Sequence, residues 1–223
     1  PDLPGWGDST RLKDARYGIP AQAERLYAFL HTLGLKHEML VGHSMGGAIA
    51  GYYASEHPDA VGSLVLMDSF GLKFKENAFA KAALAGNNPL IFDDRAGYER
   101  MAKLLFDQPP ELPGRFIDVL ADRNQANRDF LQRVFDRLRQ PDQYGILDSR
   151  LDQLTMPVLA IWCADDRVVD PSALDNLRNG LVNAPSISVT VINGCGHVPE
   201  LEKPKAVERI LSGYALRHWT PSS

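Results

Sequence analysis

Four short apolar segments, separated by stretches with helical periodicity, constrain the fold most. They cover residues 38–41, 63–67, 157–162 and 188–192. Because each is apolar at nearly every position, both faces of the resulting strands should be covered, which is typical of parallel sheets. A helical pattern at 204–216 closes the chain. We therefore predict an α/β fold with a doubly wound, mostly parallel sheet and helices on both faces.

The stretch between the second and third apolar segments has no strand pattern. Three helical patterns, in which Phe and Leu recur at helical spacing, fill most of it: 94–106, 113–122 and 127–138. An insertion that follows the carboxyl end of a strand can lie over a site at that edge of the sheet. We predict an α/β core formed by 1–70 and 149–223, with residues 71–148 as a helical cap.

One motif predicts a reactive side chain. VGHSMGG, at residues 41–47, places Ser44 between glycines, after a strand pattern and before small residues with helical character. G-x-S-x-G between a strand and a helix is typical of a nucleophile elbow, in which a strained turn exposes the serine. The amino terminus of the following helix favours a developing anion there. A glycine-rich turn with an incidental serine is the alternative interpretation.

A serine nucleophile needs a base that takes its proton. Of the six histidines, four flank predicted helix ends or lie near the carboxyl terminus, and His43 should point away from the neighbouring serine. His197, in GCGHVPELEKP, follows the last apolar segment. It therefore lies in a loop at the carboxyl ends of the strands, where α/β proteins form their sites. We predict that His197 is the base, and a surface histidine is the alternative.

An acid should orient that imidazole from a neighbouring loop. ADDRVVDPS follows the third apolar segment, and we predict that Asp166, a few residues beyond the strand, holds His197. Asp68 ends the second segment in VLMDS and is the main rival, because that strand opens on the same site. Asp165 is a further alternative. The order serine, aspartate, histidine along the chain is that of the α/β-hydrolases.

The chain resembles the α/β-hydrolase superfamily at these residues. PDLPGWGDS, VGHSMGG, LVLMDS, WCADDRVV and GCGHVPELEKP all match it, and PDLPGWGDS, GHSMGG and the GHVPELEKP tail are similar to bacterial family V esterases and lipases. Cys163 departs from the family, which usually has glycine there. The resemblance implies that Ser44, Asp166 and His197 cleave carboxylic esters through an acyl-enzyme intermediate, without a cofactor or a metal ion.

The resemblance also predicts the surroundings of the serine. The Met45 backbone N–H would supply half of the oxyanion hole, and the other half belongs to an HG-type loop that this sequence does not contain. We expect a small hydrophobic ester as substrate, in contact with His43, Phe70, Val168 and Val198. Aromatic residues of the predicted cap should wall the acyl pocket: Phe74, Phe79, Phe92 and Phe106.

The family begins with strands that are absent from these 223 residues. The apolar segment 38–41 should be a central strand, yet only 63–67 would lie beside it. Its other edge would be bare, which is an aggregation liability. We therefore expect an amino-terminal segment or another chain to pair with it, and the sequence to be a fragment of a longer enzyme.

Composition limits the partners. The net charge is −4 and no basic block occurs, so nucleic acid and anionic membrane surfaces are poor candidates. No apolar run approaches the roughly 18 residues of a membrane helix. The compartment stays open between the cytoplasm and the cell envelope of a bacterium. Cys163 and Cys195 would end neighbouring strands, so a bridge between them is conceivable and undecided.

Two other functions fit the same residues. A carbon–carbon bond hydrolase of ring-fission products shares the triad and the cap. Such sites usually need polar groups for a dicarboxylate. In this sequence the residues at the ends of the motifs, including Val168 and Val198, are apolar. A non-catalytic protein that keeps the hydrolase fold as a binding pocket is the other hypothesis. Turnover of an ester that is lost on Ser44→Ala would distinguish it.

Overall fold

A four-stranded parallel sheet lies at the centre of the computed structural model, which describes residues 1–218. Its strands are β1 (Glu38–His43), β2 (Val61–Met67), β3 (Val158–Cys163) and β4 (Ile187–Ile192). They lie in the order β1-β2-β3-β4, and all three neighbouring pairs are parallel. The predicted parallel sheet is confirmed, because continuous apolar runs mark strands that are covered on both faces.

Helices cover both faces of this sheet. The α-helices of the described part are α1 (Ile19–Thr32), α2 (Met45–Glu56), α3 (Ala78–Leu84), α4 (Arg95–Leu105), α5 (Gly114–Ala126), α6 (Arg128–Leu138), α7 (Pro141–Tyr144), α8 (Ala173–Gly180), α9 (Pro199–Glu202) and α10 (Pro204–His218). Short 3-10 helices precede β2 and β3. Buried residues of α1, α2 and α8 form one core cluster, and α10 contributes to the cluster on the opposite face.

Strand β2 shows why the apolar runs are continuous. Leu64 and Leu66 belong to the cluster with α1, α2 and α8, whereas Val65 and Met67 belong to the cluster with α10. All four are buried. Because alternate side chains of a strand point to opposite faces, a strand with a core on each side needs apolar residues at successive positions.

Strand β1 lies at the edge of the sheet formed by the described residues. Val41 in this strand is 42% exposed. Phe29, Leu30 and Leu33 have the sequence spacing of an apolar helix face, but only Leu30 is buried, whereas Phe29 and Leu33 are 43% and 56% exposed. The buried side of α1 includes Ile19 instead, because the helix packs against α2.

Helices α3 to α7 all lie between β2 and β3 in the sequence. The predicted patterns correspond to α4, α5 and α6, whereas the short helices α3 and α7 carried too few turns to show a period. The division of the chain into a core and a cap stays a prediction.

A disulfide joins the ends of the two last strands. Cys163 is the final residue of β3 and Cys195 follows β4, with 5.3 Å between their Cα atoms. Both residues are fully buried. The bridge closes a separation of 32 residues and ties together the loops in which Asp166 and His197 lie.

Replacing both cysteines should destabilise the protein. The variant Cys163→Ala/Cys195→Ala should lower the free energy of unfolding by about 4 kcal/mol, because the unfolded chain regains the entropy of an open loop of this length. Urea denaturation under non-reducing conditions measures the loss. The wild-type protein in reductant should unfold like the variant, and an intact mass showing two free thiols in the native protein would contradict the bridge.

Candidate active site

Ser44 forms the turn between β1 and α2 in a strained conformation. Its φ of 50° and ψ of −120° lie in a region that non-glycine residues rarely adopt. A Cβ on Gly42 would lie 2.4 Å from the Gly46 carbonyl oxygen, and one on Gly47 would lie 2.4 Å from Ser69 Oγ. Those two positions therefore need glycine. A Cβ on Gly46 would meet no atom within 4 Å, so close packing does not require a glycine at this position.

The three predicted catalytic side chains form one chain of hydrogen bonds. His197 Nε2 lies 2.9 Å from Ser44 Oγ, and His197 Nδ1 lies 2.9 Å from Asp166 Oδ2. Since a carboxylate only accepts, Nδ1 donates to Asp166 and Nε2 is left to accept the serine hydroxyl proton. The N–H groups of Val168 and Val169 donate to the other Asp166 oxygen at 2.7 and 3.0 Å. This geometry suits a base beside a hydroxyl nucleophile.

The two rival aspartates bind elsewhere. Asp68 Oδ1 accepts the Cys163 N–H at 2.8 Å, and Asp165 Oδ2 accepts the Gly194 N–H at 3.2 Å. Burial, reinforced by the negative charge of Asp166, raises the pKa of Asp68 to about 9. Asp68 is thus a neutral carboxylic acid near neutral pH, next to the carboxylate that holds His197.

His43 packs against the base and lines the cavity described below. Its Nε2 donates to the His197 carbonyl oxygen at 2.6 Å, and its Nδ1 lies 3.4 Å from Glu200 Oε1. Burial, together with the nearby His197, lowers the pKa of His43. The sequence predicted His43 only as a substrate contact and missed this hydrogen bond to the main chain of the base.

A cavity of about 440 Å³ opens at Ser44. Predicted residues His43, Phe70 and Val168 line it, whereas Val198 does not. Its wall is mostly apolar, with aromatic and aliphatic side chains from α3, α6, α7 and the neighbouring loops: Phe74, Phe79, Leu90, Ile91, Leu131, Val134, Phe135, Leu138 and Tyr144. An apolar wall beside one serine hydroxyl suits a hydrophobic ligand.

The prediction for the cap phenylalanines was half right. Phe74 and Phe79 line the cavity, but Phe92 and Phe106 do not. Those two pack with Tyr98 in a separate apolar cluster that α4 and α5 share. Helical spacing marks a phenylalanine as buried without telling which of two apolar spaces it fills.

Trp6 is a cavity residue that the sequence did not identify. Its indole packs edge-on against Phe130 at 5.4 Å, and its Nε1 atom is buried with no hydrogen-bond partner in the described structure. The Pro and Gly residues crowded around it are typical of a turn, but such a pattern does not tell which way the indole points. An indole N–H in the wall offers a donor to an oxygen of a bound ligand.

The described residues hold no group of three or more His, Cys, Asp or Glu side chains suited to a metal ion. Within residues 1–218, no helix has the length and apolar character needed to cross a membrane.

Residues 1–204 match the model of a family described as the alpha/beta hydrolase fold. The chain belongs to this family. Among relatives of the present α/β-hydrolase, Lipase 1 of Psychrobacter immobilis is 30% identical over 206 residues, covering 91% of this chain and 63% of the relative. Monoacylglycerol lipase abhd6-B of Xenopus laevis is 28% identical over 223 residues, covering 96% and 65%. The chain thus spans slightly less than two thirds of the length of these relatives.

This α/β-hydrolase also resembles several solved structures. A membrane phospholipase A, described as a bacterial virulence factor, superposes with a TM-score of 0.86 at 33% identity, over 95% of this chain and 68% of the other. A putative lipase from Acinetobacter baumannii gives 0.84 at 25% identity, over 97% and 73%. A meta-cleavage product hydrolase from Pseudomonas fluorescens, with 0.72 at 19% identity over 96% and 77%, shares the fold.

The raised pKa of Asp68 makes stability depend on pH. In the unfolded chain this carboxyl ionises near its usual pKa of 3.8, but in the folded state it keeps its proton to about pH 9. Its contribution to the free energy of unfolding is therefore complete below about pH 4 and is lost as the pH rises towards 9. The asparagine in Asp68→Asn does not titrate, so the free energy of unfolding of this variant should fall less than that of wild type as the pH rises from 5 to 9.

Urea denaturation across this pH range measures the difference. The exposed Asp59, whose side chain makes no hydrogen bond or ion pair in the described structure, gives the control Asp59→Asn. Its stability should follow wild type at every pH. Parallel curves for Asp68→Asn and wild type would contradict the neutral form.

Proposed function

We propose that this α/β-hydrolase cleaves carboxylic esters as a carboxylesterase or lipase. One observation carries the proposal: Ser44, His197 and Asp166 are linked by two 2.9 Å hydrogen bonds at the wall of an apolar cavity. The similarity to Lipase 1 and to monoacylglycerol lipases supports the same reaction class.

In the proposed reaction, Ser44 Oγ attacks the ester carbonyl carbon while His197 Nε2 takes its proton. Asp166 holds the imidazole in the tautomer this step needs and stabilises its charged form. The tetrahedral intermediate then expels the alkoxide, to which His197 returns the proton, and the acyl group stays on Ser44. A water molecule, deprotonated by His197, attacks the acyl carbon of the acyl-enzyme. The bond to Ser44 Oγ then breaks, His197 returns the proton to Oγ, and the carboxylic acid leaves.

The Met45 N–H is our candidate for one oxyanion donor. Met45 is the first residue of α2, and N–H groups in the first turn of a helix have no acceptor within that helix. The positive end of the helix also favours an anion there. We propose that a segment or chain beyond the described residues supplies the second donor and pairs with the edge of β1, where Val41 is 42% exposed.

The cavity supports a plain acyl chain as the substrate group. Arg139 is the only lysine or arginine in its described wall, and Asp136 Oδ1 accepts a hydrogen bond from its Nε at 2.8 Å. A dicarboxylate from ring fission would find its cationic partner already paired. The wall therefore favours a small hydrophobic ester over the substrate of a carbon–carbon bond hydrolase.

Ser44 should be the site of covalent labelling. A fluorophosphonate should add one equivalent to Ser44, and Ser44→Ala should lose both labelling and turnover of a p-nitrophenyl ester, by about 10⁶-fold. Asp166→Asn should lower kcat by about 10⁴-fold, whereas Asp68→Asn should cost far less because Asp68 does not contact the base. Peptide mass spectrometry and steady-state kinetics measure these effects.

The control is Ser212→Ala, because Ser212 is exposed on α10. It should label and turn over ester like wild type. Labelling at another residue, or full turnover by Ser44→Ala, would refute the proposal. A larger loss with Asp68→Asn than with Asp166→Asn would transfer the orienting role to Asp68.

Acyl-chain preference should respond to the cavity wall. Phe79→Ala enlarges the cavity from α3, so relative kcat/KM should shift towards longer p-nitrophenyl esters, while Ser44 still reacts with a small phosphonate. Phe116 gives a matched control, because it lies on α5, is 54% exposed and is outside the cavity wall. Phe116→Ala should keep the wild-type profile, and an unchanged profile for Phe79→Ala would remove that wall from substrate choice.

A further inference from the structure

The carboxyl end of α4 is bound by the two loops that carry the proposed acid and base. The last carbonyl groups of a helix have no N–H partner within it. The Leu105 carbonyl accepts the His197 N–H at 2.7 Å, and the Lys103 carbonyl accepts Arg167 Nη1 at 2.7 Å. Arg167 directly follows Asp166. Side chains and main chain of the active-site loops therefore complete the last turn of α4.

Glu202 joins the same two segments through its carboxylate. Oε1 accepts the N–H groups of Asp107 and Gln108 at 3.0 and 3.1 Å, just beyond α4. Oε2 accepts the N–H of Gly196 at 2.5 Å, one residue before His197. No lysine or arginine among residues 1–218 lies within ion-pair distance of Glu202. Its carboxylate is thus stabilised by hydrogen bonds from backbone N–H groups of both segments.

Gly196 permits this close approach. A Cβ at this position would lie 2.5 Å from the Leu105 carbonyl oxygen and 2.9 Å from the Asp107 nitrogen. Both are backbone atoms, which cannot rotate out of the way as the end of a side chain could. The backbone before His197 therefore rests directly on the end of α4, and Glu202 spans the contact.

We propose that Glu202 is a positioning residue for His197, acting by fixing the His197 loop to the end of α4. This inference rests on the proposed ester hydrolysis, in which Nε2 must meet both Ser44 and the leaving oxygen. The main chain of His197 has two fixed points, its N–H on Leu105 and its carbonyl on His43. Without Glu202, the end of α4 is free to shift, and the hydrogen bond from the His197 N–H to Leu105 shifts with it.

The charge-neutral variant Glu202→Gln breaks one side of the contact. An amide has one accepting oxygen, and its NH₂ group faces an N–H donor, so it cannot bind Gly196 and the Asp107–Gln108 pair together. Hydrogen–deuterium exchange should rise in peptides covering both 103–108 and 194–198. Glu208→Gln is the matched control, since Glu208 is exposed on α10 and its side chain makes no hydrogen bond or ion pair within residues 1–218. It should change neither peptide.

Kinetics separate positioning from stability. With p-nitrophenyl acetate, Glu202→Gln should lower kcat by about 10- to 100-fold through displacement of the base, while KM should stay at its wild-type value. Gly196→Ala pushes the same contact apart from the other side and should give the same signature, so the inference does not depend on one variant folding. Thermal unfolding of each variant is measured in parallel.

Three outcomes decide the matter. Loss of kcat with joint exchange at both segments supports the positioning role. A lowered melting temperature with wild-type kcat, or faster exchange in only one of the two segments, overturns it. If wild type and Glu208→Gln, each tested together with the segment or chain that pairs with β1, both fail to turn over ester, the proposed function fails, whereas the exchange experiment still decides whether Glu202 couples the two segments.

Discussion

The parallel register of the four strands is the constraint on which the site depends. His43 lies beside Met67, Met67 beside Ile161, and Ile161 beside Thr190, so all four strands end at one edge. Ser44 and Asp68 follow directly, and Asp166 and His197 lie a few residues further on. Short side chains can therefore meet although they are far apart in sequence. This is the general reason that α/β sheets form sites at the carboxyl ends of their strands.

The loops at this edge are fixed by three different kinds of contact. The turn at Ser44 is held in a left-handed conformation with a φ of 50° by the close packing of Gly42 and Gly47. The disulfide joins the loops after β3 and β4 covalently. The end of α4 then binds both of those loops through backbone groups. Strain, covalent closure and hydrogen bonding thus act on the same few residues.

Sequence patterns predicted what depends on residue type. Apolar runs predicted the strands, and the loop positions of Ser44, Asp166 and His197 predicted the residues that the structure brings together. Contacts through the main chain had no such signal. Leu105 binds His197 through its carbonyl group, which every residue has, so no side chain marks it. The same holds for the N–H groups that Glu202 accepts, and Glu202 itself looked like one more acidic residue in a motif.

Two carboxyl groups at this edge have different charges because they have different donors. Asp166 receives three N–H groups, from Val168, Val169 and His197, whereas Asp68 receives one, from Cys163. Burial raises the pKa of Asp68 most, and the negative charge of Asp166 beside it raises it further, so the carboxyl group with fewer donors keeps its proton. The negative charge is therefore localised next to His197. Moving the orienting role to Asp68 would require moving the backbone donors as well, which explains why residue type alone left both aspartates open.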